Sequence, residues 1–241
     1  MECIEEQPKM EGFEKKLKEA EKLIDEGKFV EADGMFASMV REDLSSKEKS
    51  TLELKIGWYF YHLGTREIKD PIFCGREAEK YLSSVINSDV SVSDVTKALE
   101  ILPLACQNLL RDHQKAVRFA EIATDRASLE DKPQALNRQG FVEREAGLLK
   151  SLKTFSEAYS AAREAKNFKE AGIALYSKAI TLIWIWDEVE IAKEGLINEI
   201  RDLLSRAFSS YEEHERNTEE KLGILKINVE EKIQGLAFLV K

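Results

Sequence analysis

Residues 55–64 read KIGWYFYHLG, four aromatic side chains and a histidine held between Gly57 and Gly64. A second stretch, GFVEREAG at 140–147, repeats the glycine spacing with Gly140 and Gly147. Glycines seven positions apart lie on one side of an α-helix, two turns from each other. A helix with no Cβ at those places can be approached closely by a neighbour, the need of helices stacked in layers. Around these stretches the chain has the composition of a long-helix protein. Glycine (12) and proline (4) are few among 241 residues, apolar residues make up 43%, and charged residues 34%.

Working outward, the apolar periodicity is helical and no window shows sustained strand alternation. The first stretch places Phe13, Leu17, Ala20, Leu23 and Ile24 on one face, with Glu11–Lys15 and Glu14–Lys18 pairs on the other. Helix starts recur. Ser45 with Glu48, Thr154 with Glu157 and Asn217 with Glu220 have capping-box spacing, and Ser91 with Asp94 is a looser version. Asp70-Pro71 and Asp131-Lys132-Pro133 place a cap before a first-turn proline. These marks predict eleven helices at about 11–26, 28–42, 46–64, 72–87, 93–110, 113–127, 132–148, 152–165, 168–185, 188–211 and 217–240. Pro103 is expected to kink the fifth.

The starts pair at intervals of about 35–45 residues, a repeat period. The second helix of each pair carries small residues: Ala32 with Phe36; Ala78 with Leu82 and Val85; Ala116, Ala120 and Ala123; Ala158, Ala162 and Ala165 with Phe155. On these residues the chain resembles the tetratricopeptide repeat (TPR) family. Leu23, Gly27, Phe29, Ala32 and Phe36 follow the family's spacing. Gly57, Phe60 and Gly64 match the first half of a repeat, and Ala78 with Leu82 the second, after an insertion, TREIKDPIF. Leu104 and Arg111 stand where glycine is usual in the third pair, LLKSLK lengthens the fourth, and the fifth has no clear signature. The resemblance implies an all-α right-handed superhelix of about five antiparallel helical hairpins with a C-terminal capping helix. Residues 1–10 would form a flexible tail and 11–241 one repeat domain, with 187–241 a less regular capping region.

The same resemblance puts the first helix of each pair on a concave groove. Trp58, Tyr61 and His62 would face it, as would Asn108 in the third pair and Phe141 and Arg144 in the fourth. Two readings of the aromatics stay open: packing on a neighbouring helix, or a binding wall for a peptide or partner helix. The carboxylate clamp of some family members is missing, since Leu17 and Glu21 stand where its lysine and asparagine would be. The apolar segment LIWIW (182–186) reads as buried between helices or as a homodimer patch, and the last helix as a cap or a self-association surface.

The net charge of −9, without a basic block, argues against nucleic acid. The longest apolar run, AITLIWIW at 179–186, is far shorter than the ~20 residues of a membrane helix. The acidic start MECIEEQPKM does not resemble a signal peptide, and Cys3, Cys74 and Cys106 form no CxxC pair, so a cytoplasmic protein is expected. His62, His113 and His214 lack a partner at metal-ligand spacing, and no phosphate loop or nucleophile motif occurs. The expectation is a protein-interaction scaffold, with no enzyme activity, metal or cofactor. The alternatives are a structural homo-oligomer or a ligand-sensing regulatory module.

Overall fold

The computed structural model describes residues 6–88, 91–188 and 193–239. Among them are eleven helices and no strand: α1 (Glu6–Asp25), α2 (Phe29–Met39), α3 (Ser46–Thr65), α4 (Pro71–Asn87), α5 (Val92–Asn108), α6 (His113–Arg126), α7 (Lys132–Glu145), α8 (Ser151–Glu164), α9 (Phe168–Glu188), α10 (Lys193–Asn217) and α11 (Gly223–Leu239). The chain divides into two compact units, Met1–Arg111 and Asp112–Lys241. Unit 1 holds α1–α5 and unit 2 holds α6–α11, so the expected third hairpin, α5 with α6, is divided between them.

Local chemistry explains most helix boundaries. The Ser45 hydroxyl accepts from the Glu48 N–H while the Glu48 carboxylate accepts from the Ser45 N–H, a complete capping box. Asp70 accepts from Phe73 N–H at 2.7 Å, with Pro71 opening α4. Ser91 accepts from Asp94 N–H. Asp131 makes no side-chain cap; Ser128 instead accepts its N–H and donates to its carboxylate. α1 begins at Glu6, inside the expected tail; residues 1–5 of that tail lie outside the described residues. α5 runs through Pro103 without a break.

Two expected caps are not caps. Thr154 lies inside α8, buried, where its hydroxyl donates to the equally buried Glu143 carboxylate at 2.6 Å. Asn217 ends α10, and the start of α11 is held from outside: the Glu215 carboxylate accepts from Leu222 N–H at 2.7 Å and pairs with Lys226. That backbone hydrogen bond holds the Glu215 carboxyl below its usual range. Thr154 takes its partner from the preceding helix, which periodicity does not reveal.

Consecutive helices within each unit lie against each other, and α3 also touches α5 as α7 touches α9. Gly57 and Gly64 explain how closely they pack. A Cβ on Gly57 would lie 2.6 Å from Leu82 Cγ, and one on Gly64 would lie 2.9 Å from Cys74 Cβ. Rising positions on α3 meet falling positions on α4, an antiparallel hairpin. In unit 2 the Phe155 ring would be 2.6 Å from a Cβ on Gly140, and the Tyr211 ring 2.3 Å from one on Gly172. Of the small residues expected on the second helices, Ala32, Ala78, Ala116, Ala120, Ala158 and Ala162 are buried, while Ala123 is half-buried and Ala165, at the end of α8, is exposed. At Gly27 and Gly147 the chain turns through left-handed backbone (φ +73° and +71°), and the following N–H reaches back to the last helical turn. Glu67 and Lys166 adopt the same conformation after α3 and α8.

Buried polar ties fix the register between helices. Glu143, fully buried, accepts from Thr154, from Gln139 at 2.8 Å and from the Lys150 ammonium at 3.2 Å. Asn137, also buried, donates to the Glu170 carbonyl at 3.0 Å and carboxylate at 2.8 Å, joining α7 to α9.

Gly140→Ala is expected to lower stability by about 1–3 kcal/mol, because the Phe155 ring must move. Gly34→Ala, in a helix interior with open space around it, is expected to be neutral or to raise stability by up to about 1 kcal/mol. Urea unfolding of the two variants checks the contrast.

Candidate functional site

The aromatic stretch of α3 divides between two faces. Tyr59 is core: its ring lies 5.3 Å from Phe36 and its hydroxyl donates to the Phe29 carbonyl at 3.0 Å. Phe60 stacks on Tyr81 of α4 and meets the edge of Phe73. Trp58, Tyr61 and His62 point elsewhere. The Trp58 and His62 rings are 4.0 Å apart, His62 is half-buried, and Trp58 keeps 38% of its surface exposed. Asn108, at the end of α5, donates to the Tyr61 hydroxyl at 3.4 Å. The structure thus brings four of the predicted residues together within unit 1. Ala105 and Leu109, which the repeat register places on the same face as Asn108, are core instead.

Beside this cluster is a cleft of about 560 Å³. α3 contributes Thr51, Lys55 and Trp58, spaced at four and three residues so that they form one stripe. α1 contributes Glu21 and Asp25, also one turn apart, and α5 contributes Asp94, Lys97 and Glu100. Lys55 is ion-paired with Glu21 across the cleft. The cleft is therefore lined by the first, third and fifth helices, the alternate set that the repeat reading places inward.

Unit 2 holds Phe141 and Arg144 on α7. The Arg144 guanidinium lies over the Phe141 ring at 5.2 Å and over the Trp184 ring of α9 at 4.7 Å. Its hydrogen bond among the described residues is a long one, 3.5 Å to Glu145, and Nε has none. Trp184 was not singled out by the sequence. In the LIWIW segment Leu182 is buried and Ile183, Ile185 and Trp186 pack on the α10–α11 core, while Trp184 alone is exposed, at 46%. Its neighbours in sequence masked it; only the helical phase relative to Arg144 would have found it.

No protein-family model matches the chain, and no curated protein or solved structure does either. The site is read on its own geometry. Among the described residues no three His, Cys, Asp or Glu side chains converge as metal ligands, and no helix is long and apolar enough to cross a membrane. Cys74 and Cys106 are buried and in no disulfide among the described residues, and burial pushes the Cys74 thiol up.

Burial, with the Arg66 charge as the lesser cause, holds His62 below its ordinary value of 6.5. The folded state binds this proton more weakly than the unfolded chain. The stability His62 contributes is therefore full above about pH 6.5 and is lost as pH falls through the folded value. Between pH 7.5 and 5.5 the wild type is expected to lose more stability than His62→Gln, measured as urea midpoints at each pH. For Arg144→Ala the expected loss is about 1–2 kcal/mol from two cation–ring contacts, with altered Trp184 fluorescence; unfolding followed by tryptophan emission measures both.

Proposed function

We propose that this chain is a protein-interaction scaffold of TPR-like helical hairpins whose first helices bind a peptide or partner helix. The observation that carries the reading is the unit 1 face: exposed Trp58, with Tyr61, His62 and Asn108, beside a cleft lined, among the described residues, by α1, α3 and α5. An exposed indole on a rigid helix is the kind of anchor that dominates interfaces. A packed helical array loses little freedom on binding. The α3–α5 and α7–α9 contacts, and glycines packed against second-helix side chains in both units, support stacking in the manner of a right-handed five-hairpin superhelix. On this reading Phe141 and Arg144 belong to the same inner set of helices, and no catalysis, cofactor or nucleic acid is involved.

Capture from a lysate of the source cells tests it, comparing wild type with a Trp58→Ala, Tyr61→Ala variant of unchanged circular dichroism. A protein retained by wild type and lost by the folded variant is expected; equal retention by both sinks the reading.

A second reading, self-association through the C-terminal helices, draws on α11, where Ile224 and Ile227 are 77% and 52% exposed. Light scattering would then give a dimer that Ile224→Asp, Ile227→Asp converts to a monomer.

A further inference from the structure

We propose that Arg144 of unit 2 receives the carboxylate of an aspartate or glutamate side chain carried by a partner segment; this deepens the binding reading above and rests on it. Three arginines of unit 2 lie over aromatic rings, and a contrast among them points to the missing acceptor. Arg163, over Phe168, bonds Glu213 at 2.8 Å, and Arg206, over Tyr159, bonds Asp202 at 3.3 Å. Those two side chains are 43% and 47% exposed. Arg144 is 15% exposed, the most enclosed of the three. Its hydrogen bond among the described residues is also the longest, 3.5 Å to Glu145.

Enclosure makes that shortfall costly. A guanidinium carries five N–H donors, and a charge removed from water needs acceptors for them. The Phe141 and Trp184 rings, at 5.2 Å and 4.7 Å, attract the cation, but they offer no oxygen. Arg144 Nε is buried and has no acceptor. Glu145 is the next residue in the chain, and successive side chains of a helix do not face each other. A desolvated cation short of acceptors in its own fold is explained by an acceptor that comes from outside.

Trp184 supplies the second element, from α9. Leu182 of its segment is buried, and Ile183, Ile185 and Trp186 pack on the core, whereas the Trp184 indole stands 46% exposed beside the guanidinium. Parallel N–H groups of a guanidinium match the two oxygens of a carboxylate, and the free indole surface covers the methylene stem behind them. One arginine in a chain of net charge −9 balances a single negative charge; a phosphate dianion calls for a cluster of arginines.

A library of random dodecapeptides displayed on phage and selected on the full chain tests the assignment. Peptides with an aspartate or glutamate at one fixed position are expected. The best of them, synthesised with both ends blocked and labelled, is then measured by fluorescence anisotropy. Arg144→Gln, or the amide in place of that acid, should each weaken binding about tenfold, and the two together no more than either alone. Arg144→Lys, which keeps the charge and loses the fork, should weaken it about threefold or more. Arg163→Gln, the same charge change on α8, should leave it unchanged. Circular dichroism and urea midpoints check that the variants fold; if Arg144→Gln does not, Arg144→Lys completes the cycle. Losses that add, or equal damage from Arg163→Gln, would mean diffuse attraction between charges and would overturn the proposal. Tighter binding with phosphoserine at the acid position would overturn it as well. Selected peptides that lack a fixed acid but need Trp58 or Trp184 would also overturn it, while leaving the groove reading intact. No peptide enriched over an unrelated helical protein would sink both.

Discussion

The structure depends on how near two helix axes can come. Where α3 carries Gly57 and Gly64, α7 carries Gly140 and α9 carries Gly172, a large side chain of the next helix occupies the space a Cβ would need. Leu82, Phe155 and Tyr211 are knobs fitted into holes made by missing atoms, and each knob is itself fully buried. Close approach removes apolar surface along the whole hairpin, with dispersion contacts at every turn. It also settles rotation: once the glycine side of a helix is turned to its partner, the residues on the remaining arc are assigned. Tyr59 goes to the core and Phe60 to α4, Tyr61 packs half-buried at the edge of the core beside His62, and Trp58 keeps an exposed face. The aromatic face left outside the helix seams is thus a by-product of the packing face.

Buried polar groups also tie one helix to the next. Glu143 is buried among Thr154, Gln139 and Lys150, and Asn137 is tied to Glu170. Such groups cost desolvation and return it only when every partner is in place. They therefore penalise a one-turn slip between α7 and α8 or α9 far more strongly than leucines would. Glycine holes set the distance, and buried polar ties set the register.

Helix number, most starts and most of the buried alanines were legible in the sequence, because each is written in residues close together in the chain. Ser45, Asp70 and Ser91 act within four residues of themselves, which is why they read correctly. Thr154 did not, since it bonds Glu143 of the preceding helix, and Asn217 did not, since α10 runs on to it and the start of α11 is held by Glu215 instead. The site was legible in part for the same reason. Trp58, Tyr61 and His62 share one helix and a glycine register, so their common face followed from spacing. The acids of α1 and α5 that complete the cleft are ordinary surface residues until three helices are placed side by side. Trp184 was hidden among apolar neighbours, and only its stacking on Arg144 distinguishes it.

Each helix rests chiefly on the one next to it in the chain, joined by links of a few residues, and this has a kinetic consequence. Little chain entropy is spent in bringing such neighbours together, so a hairpin can form before distant parts of the polypeptide are available. Within a unit, structure can then grow by addition, one helix pair seeding the next. Loss of structure follows the same path in reverse, with terminal layers opening more often than those held on both sides. A chain built this way tolerates local opening at one end of a unit while the interior layers keep their shape.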